Sequence, residues 1–265
     1  MSSRETFQGS LDMAEAYESQ FVPALFREWA ASLVEHARVR PGQRVLDVAC
    51  GTGIVARTAA DRIGDGAVTG LDLNDAMLTV AERLRPDIAW RHGDAAQLPF
   101  DDGAFDVVLC QSGLMFFPDV PKALGEMARV AKTGGTIAVQ VWDRRESQPA
   151  YAPFIQAAAR HAGTDAIDLL STYFNRGDLD ELSAALASAG LGAPDVRTET
   201  TTLRFPSVEA FVMTEVRATP LAERLSEDVL VKIVEDSGEV LRPFATADGG
   251  VELPIRGHLL EARKP

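Results

Sequence analysis

The chain has 265 residues, 46% hydrophobic and 25% charged, as expected of a soluble globular protein with one α/β domain and a cap or insertion. Its net charge is −13 and it contains no basic run, which argues against DNA, large RNA or an anionic lipid surface as a partner. The two cysteines, Cys50 and Cys110, sit in apolar segments with neither a disulfide framework nor a zinc spacing, so no metal is expected.

Residues 1–9 read as disordered and lack a hydrophobic signal core. No apolar run approaches the ~18 residues of a membrane span, so a cytoplasmic location without membrane insertion is expected. Residues 11–39 predict two helical stretches broken near Pro23, with Phe21, Leu25, Phe26, Trp29, Leu33 and Val34 at helical spacing. Pro41-Gly42 turns into a strand over 44–49, and a helix is expected over 54–62. Strands at 67–72, 88–93, 105–111 and 136–142 then alternate with helices at 75–85 and 120–132. Such alternation implies a parallel sheet with right-handed crossovers. Beyond Asp143 the pattern changes to helices at 150–162, 166–172 and 179–189, then a strand at 195–205. Helices at 207–216 and 226–241 follow. A last strand over 251–263, after Gly249-Gly250, is a candidate to run antiparallel.

The most informative segment is Val45-Leu46-Asp47-Val48-Ala49-Cys50-Gly51-Thr52-Gly53, an apolar strand entering a glycine turn directly before a helix. Glycines let backbone approach a ligand closely, and the helix N-terminus behind them offers free N–H groups. Gly51-x-Gly53-x-x-Ala56, with Asp72 following 19 residues after Gly53 (72 − 53), also satisfies the dinucleotide fingerprint. Two features favour another cofactor. Asp47 sits inside the strand four residues before Gly51, and a second acidic site, Gly93-Asp94, follows the third strand.

Over residues 44–142 the chain resembles the class I S-adenosylmethionine-dependent methyltransferases of the type 11 domain, and its N-terminal segment loosely resembles the quinone-biosynthesis members. The resemblance implies S-adenosylmethionine as cofactor, S-adenosylhomocysteine as product and a Rossmann-like doubly wound seven-stranded sheet, its last strand antiparallel, with a helical cap. The implied organisation is an N-terminal cap segment (1–40), a cofactor-binding core (41–145), a helical cap insertion (146–192) and a C-terminal part completing the sheet (193–265). Ala49, Cys50, Gly51 and Gly53 match the loop under the methionine half, with Ala49 where the commoner pattern has glycine. Asp47 would meet the cofactor's ammonium, or else cap the adjacent helix. Asp72 would accept the ribose hydroxyls, with Leu73 and Met77 walling the adenine, although Met77 reads equally as core. Gly93, Asp94 and Ala95 match the adenine-amine site. Gln111 and Ser112 would approach the methionine part.

Methyl transfer needs alignment and sometimes proton removal, so no catalytic motif is implied and the catalytic residues stay unassigned. Candidate acceptor-pocket side chains are Tyr17, Phe26, Phe117, Trp142, His161 and Tyr173, with residues 11–35 and 149–190 expected to roof the methyl. His161 is the candidate base, or simply a helix-end histidine before Gly163. The expected activity is methylation of a small, partly apolar molecule. A non-methylating reaction on the same fold, such as cyclisation, and an NAD(P)-binding oxidoreductase are the alternatives, and a homodimer is left open.

Overall fold

The computed structural model describes residues 10–64, 67–217, 221 and 224–265. The expectation of disorder over 1–9 lies outside them. Among the described residues no helix is long and apolar enough to cross a membrane. Contacts divide the described residues into two compact units, one within 10–141, 179–198 and 258–265, the other within 142–178 and 199–257.

The first unit opens with a continuous helical run: α1 (Leu11–Ala16), a π-helical stretch (Tyr17–Phe26) and α2 (Arg27–His36). The break expected near Pro23 does not occur. In an α-turn Pro23 would forfeit a hydrogen bond and press its ring on the carbonyl four residues back. The wider π turn, with i→i+5 bonding, absorbs both effects. It also changes which side chains meet. Nine residues are about two and a half α-helical turns, which would set Phe26 opposite Tyr17. In the π stretch their ring centroids are 5.2 Å apart.

β1 (Val45–Val48), α3 (Ile54–Ile63), β2 (Val68–Asp72), α4 (Asp75–Leu84), β3 (Ala89–His92), β4 (Phe105–Gln111), α5 (Val120–Val130) and β5 (Ala131–Trp142) follow in order. Helix α5 ends earlier than Lys132, because Ala131 already pairs with Phe105 and Lys132 Nζ reaches Asp106 at 2.6 Å. A register shift between Phe105 and Val107 absorbs the Gly134-Gly135 segment. The chain closes the sheet with β6 (Asp195–Phe205) and β7 (Val251–Arg263), giving the order β3-β2-β1-β4-β5-β7-β6. β1 to β5 are parallel. β7 is antiparallel to β5, since Gly134 donates to Lys264 while Asp143 donates to Arg256, so the numbers run in opposite directions.

The two faces of the sheet differ. Leu46, Val48, Val108, Cys110, Ile137, Val139 and Val141 form an apolar core with Leu124 and Met127 of α5. Leu182 and Leu186 of α8 (Leu179–Ser188) join them. α8 was expected within the cap insertion; it packs on α5 in the first unit. The other face carries Asp47, Leu109, Gln111, Ala138 and Gln140 in register, and α2 packs on it and on α3.

The second unit holds α6 (Tyr151–Ala162), α7 (Asp165–Ser171), α9 (Val208–Arg217) and α10 (Glu227–Val240). Tyr151, Phe154, Phe174 and Phe211 pack edge to face in its core. Glu215 is buried beside them and accepts the Tyr151 hydroxyl at 2.8 Å, and burial pushes its carboxyl up to about 7.

Trp90 of β3 fixes two glycines. A Cβ on Gly53 or on Gly70 would collide with its indole, whose Nε1 donates to Arg85 O at 2.9 Å. Gly70→Ala should therefore cost about 1–3 kcal/mol by overpacking. The double variant Gly70→Ala/Trp90→Leu should regain part of that loss relative to the sum of the single changes. Urea unfolding midpoints measure this; strictly additive effects would mean that Trp90 does not set the size limit at position 70.

Candidate functional site

Parallel strands place their carboxyl ends on one edge, and the crevice opens where the strand order reverses, here between β1 and β4. The sequence-predicted cofactor residues collect on that edge. Ala49–Gly53 follow β1, Asp72–Met77 end β2 and begin α4, Gly93–Ala95 follow β3, and Gln111-Ser112 end β4.

The loop after β1 is left-handed at three positions: Ala49 (φ 57°), Gly51 (φ 56°) and Gly53 (φ 86°). Ala49 thus adopts a conformation that favours glycine, at a cost of about 1–2 kcal/mol. Its methyl group has a partner constraint, since a Cβ on Gly113 would stand 2.9 Å from it. Gly53 is small because of Trp90 rather than only for a ligand. Gly51 faces Tyr17, whose ring would stand 3.9 Å from a Cβ there. Cys50 is buried, and burial together with Asp72 and Asp47 holds its thiol far above the ordinary range.

Asp47 is buried, and its Oδ2 accepts Ala56 N–H at 2.9 Å in the first turn of α3, as a capping acid would. Its Oδ1 is buried without a hydrogen-bond partner. Burial first, and the nearby Asp72 charge third after the opposing Ala56 bond, push its carboxyl up to about 8. Asp72 accepts Gly51 N–H at 2.7 Å and Asn74 N–H at 2.9 Å, one on each oxygen. It therefore ties the glycine loop to the start of α4, and burial raises its carboxyl against those bonds. Asn74 caps α4 through Ala76 and Met77 N–H. Leu73 is exposed and Met77 half-buried. Gly93 donates to Asp72 O at 2.9 Å, Asp94 Oδ1 accepts Ala96 N–H at 2.8 Å, and Ala95 is buried.

Gln111 is buried and donates from Nε2 to the Phe26 carbonyl at 3.0 Å, so the π stretch lies across the end of β4. Arg57 of α3 holds the same stretch through both carboxylate oxygens of Glu18, at 2.8 and 2.9 Å. Ser112 is left-handed (φ 50°), and its hydroxyl donates to Gln140 Oε1 at 2.6 Å. Asp47 Oδ1, Thr52 Oγ1, Gln111 Oε1 and Gln140 Nε2 are all buried without partners. Buried polar atoms are satisfied in the great majority of cases, so four on one sheet face and its loop mark a place built for a polar ligand. Thr52, Trp90 and Gln140 were not singled out from sequence. Gln140 did carry a signal, as the one amide in the apolar strand Thr136–Trp142.

Among the pocket candidates, Tyr17 and Phe26 belong to the π stretch, while Phe117 packs against the core on the opposite face of the sheet. Trp142, His161 and Tyr173 belong to the second unit. There Trp142 is buried at the end of β5, and burial and Glu215 raise the Tyr173 phenol. His161 meets Asp236 of α10 through Nε2 at 2.8 Å. Among the described residues no cluster of His, Cys, Asp and Glu is arranged to hold a metal ion.

Residues 46–139 match the family model described as a methyltransferase domain. The chain is 44% identical over 128 residues to the demethylmenaquinone methyltransferase of Renibacterium salmoninarum, covering 48% of this chain and 52% of that one. It is 39% identical over 122 residues to the 2-phytyl-1,4-naphtoquinone methyltransferase of Synechococcus elongatus, covering 43% and 52%. The chain thus spans about half the length of the curated relatives it matches. Among solved structures it resembles a putative methyltransferase from Bacillus halodurans, with TM-score 0.62 and 21% identity over 89% of this chain and 98% of that one. It also resembles the Haemonchus contortus phosphoethanolamine N-methyltransferase 2 in complex with S-adenosyl-L-methionine, with TM-score 0.60 and 20% identity over 98% and 58%. The seven-stranded sheet with its antiparallel β7 is the fold these structures share. Over residues 46–139 the chain is therefore similar to methyltransferase domains, and over most of its length it shares their fold.

Proposed function

We propose that this protein transfers a methyl group from S-adenosylmethionine to a small, partly apolar acceptor. The observation that carries the reading is Asp47 Oδ1, a buried acceptor without a partner beneath the glycine loop and suited to the cofactor's ammonium. The loop Ala49–Gly53 would lie under the methionine half, with Gln111 and Ser112 beside it. Asp72 would take the ribose hydroxyls on lone pairs that Gly51 and Asn74 leave free. Leu73 and Met77 would wall the adenine, and Asp94 and Ala95 would meet its amine and ring nitrogen. When bound, the cofactor supplies an electrophilic methyl on a sulfonium; the protein aligns it and excludes water. The acceptor class is drawn from the naphthoquinone and menaquinone relatives. It is tested by incubating the protein with S-adenosylmethionine and 1,4-naphthohydroquinone, generated by dithionite reduction of 1,4-naphthoquinone. A product 14 mass units heavier, with S-adenosylhomocysteine release, is expected; cofactor binding without any methylated product would overturn the acceptor class.

Asp47 gives a pH signature. Its folded carboxyl titrates near 8, above the ordinary value of 3.8, so the free protein binds a proton there that the unfolded chain has lost. Its contribution to stability therefore falls as pH rises from about 4 to about 8. A cationic group beside Oδ1 favours the ionised form, so S-adenosylhomocysteine affinity should rise as pH goes from 6 to 8. In Asp47→Asn that rise should vanish. Equal pH slopes in the two proteins, measured by calorimetry, would remove Asp47 from the ammonium site.

Asp72→Ala should weaken S-adenosylhomocysteine by roughly 2–4 kcal/mol, since hydrogen bonds to a charged group contribute about 1.5–3 kcal/mol each. It should also destabilise the fold, because Gly51 and Asn74 N–H groups lose their acceptor. Unchanged affinity at a temperature where the variant is folded would restrict Asp72 to its loop-bracing role.

A further inference from the structure

We propose that Gln140 holds a ring oxygen of the methyl acceptor; this rests on the methyltransferase reading and names the acceptor's recognition group. Gln140 lies in β5 directly beside Gln111 of β4, so both amides stand on the sheet face that the N-terminal helical run covers. Gln111 is fixed in orientation, because a backbone carbonyl can only accept and its Nε2 is already given to Phe26. Gln140 is fully buried, its Oε1 takes the Ser112 hydroxyl, and its Nε2 has no partner. Ser112 keeps a left-handed backbone that delivers this hydroxyl, an arrangement with a standing energetic cost.

A brace between β4 and β5 does not need this. Backbone pairing already joins the strands through Gln111↔Gln140, and Ser112 N–H donates to Gln140 O at 3.0 Å. An apolar side chain at 140 would fill the space without an unsatisfied donor, and burying such a donor destabilises a fold. Unfavourable polar groups of this kind are retained where a ligand completes them. An amide N–H selects an oxygen with a free lone pair, and it favours the ionised form of a phenolic hydroxyl over the neutral one. The class of acceptor is thus a phenol or hydroquinone, or its carbonyl counterpart, rather than an amine.

The test uses the full-length protein and Gln140→Met, which removes the amide at similar volume. Three readouts are compared: the thermal midpoint without ligand, S-adenosylhomocysteine affinity by calorimetry, and the Kd of 1,4-naphthohydroquinone with S-adenosylhomocysteine saturating. We expect the midpoint to fall modestly, because the Ser112 hydroxyl loses its acceptor, cofactor affinity to stay within twofold, and probe Kd to weaken at least tenfold; in turnover KM should rise more than kcat falls. An unchanged probe Kd in a variant that is folded at the measuring temperature would mean that Gln140 only braces Ser112 and would overturn the assignment. Wild-type protein that binds S-adenosylhomocysteine but not the probe would overturn the phenolic oxygen at this amide. Wild-type protein that fails to bind S-adenosylhomocysteine would instead remove the methyltransferase reading itself.

Discussion

One carboxylate ties the carboxyl edge of this sheet together. Asp72 ties the glycine loop after β1 to the N-cap of α4 by accepting one N–H from Gly51 and one from Asn74. It does so close to a second buried acid, Asp47; burial raises both carboxyls, and the Asp72 charge adds to the rise at Asp47. Two acids of like charge brought together in a poorly solvated place oppose folding unless cationic or hydrogen-donating partners compensate. Backbone N–H groups from Gly51, Asn74 and Ala56 supply part of that compensation. On the proposed function, the donors and positive charge of S-adenosylmethionine would supply the rest.

The same economy explains the loop. Its left-handed residues turn the chain sharply enough for α3 to start over β1, and Trp90 fills the space that the absent Cβ atoms of Gly53 and Gly70 leave. The π stretch then lays Tyr17 against Gly51 and the Phe26 carbonyl against Gln111. Both contacts require the extra residue per turn that Pro23 makes favourable. A proline and an aromatic pair in the N-terminal run thus decide what covers the edge where the glycine loop lies.

Much of this was legible in the sequence. Parallel strands buried on both faces read as apolar runs, and acids or glycines at their ends stand out against them, so Asp47, Gly51, Gly53, Asp72 and Asp94 could be placed on one edge without coordinates. The Gly249-Gly250 turn left the last strand a candidate to run antiparallel, and the family resemblance implied that direction. The π stretch was not legible, because Pro23 reads as a helix break and nothing local distinguishes a break from a widened turn. The role of Trp90 was hidden because indole packing against glycine joins residues distant in sequence, Gly53 and Trp90. α8 was assigned to the cap because its helical spacing says nothing about which surface its apolar stripe meets, and Leu182 and Leu186 meet α5's side of the sheet. Gln140 was visible as an anomaly in an apolar strand, but only its burial and its pairing with Ser112 give that anomaly a meaning.

The most direct measurement is a calorimetric comparison of S-adenosylhomocysteine and NAD titrated into the wild-type protein. The carboxyl-edge assignment requires micromolar binding of S-adenosylhomocysteine, on the order of −8 kcal/mol, and far weaker binding of NAD. NAD binding tighter than S-adenosylhomocysteine, or no binding of S-adenosylhomocysteine, would contradict it.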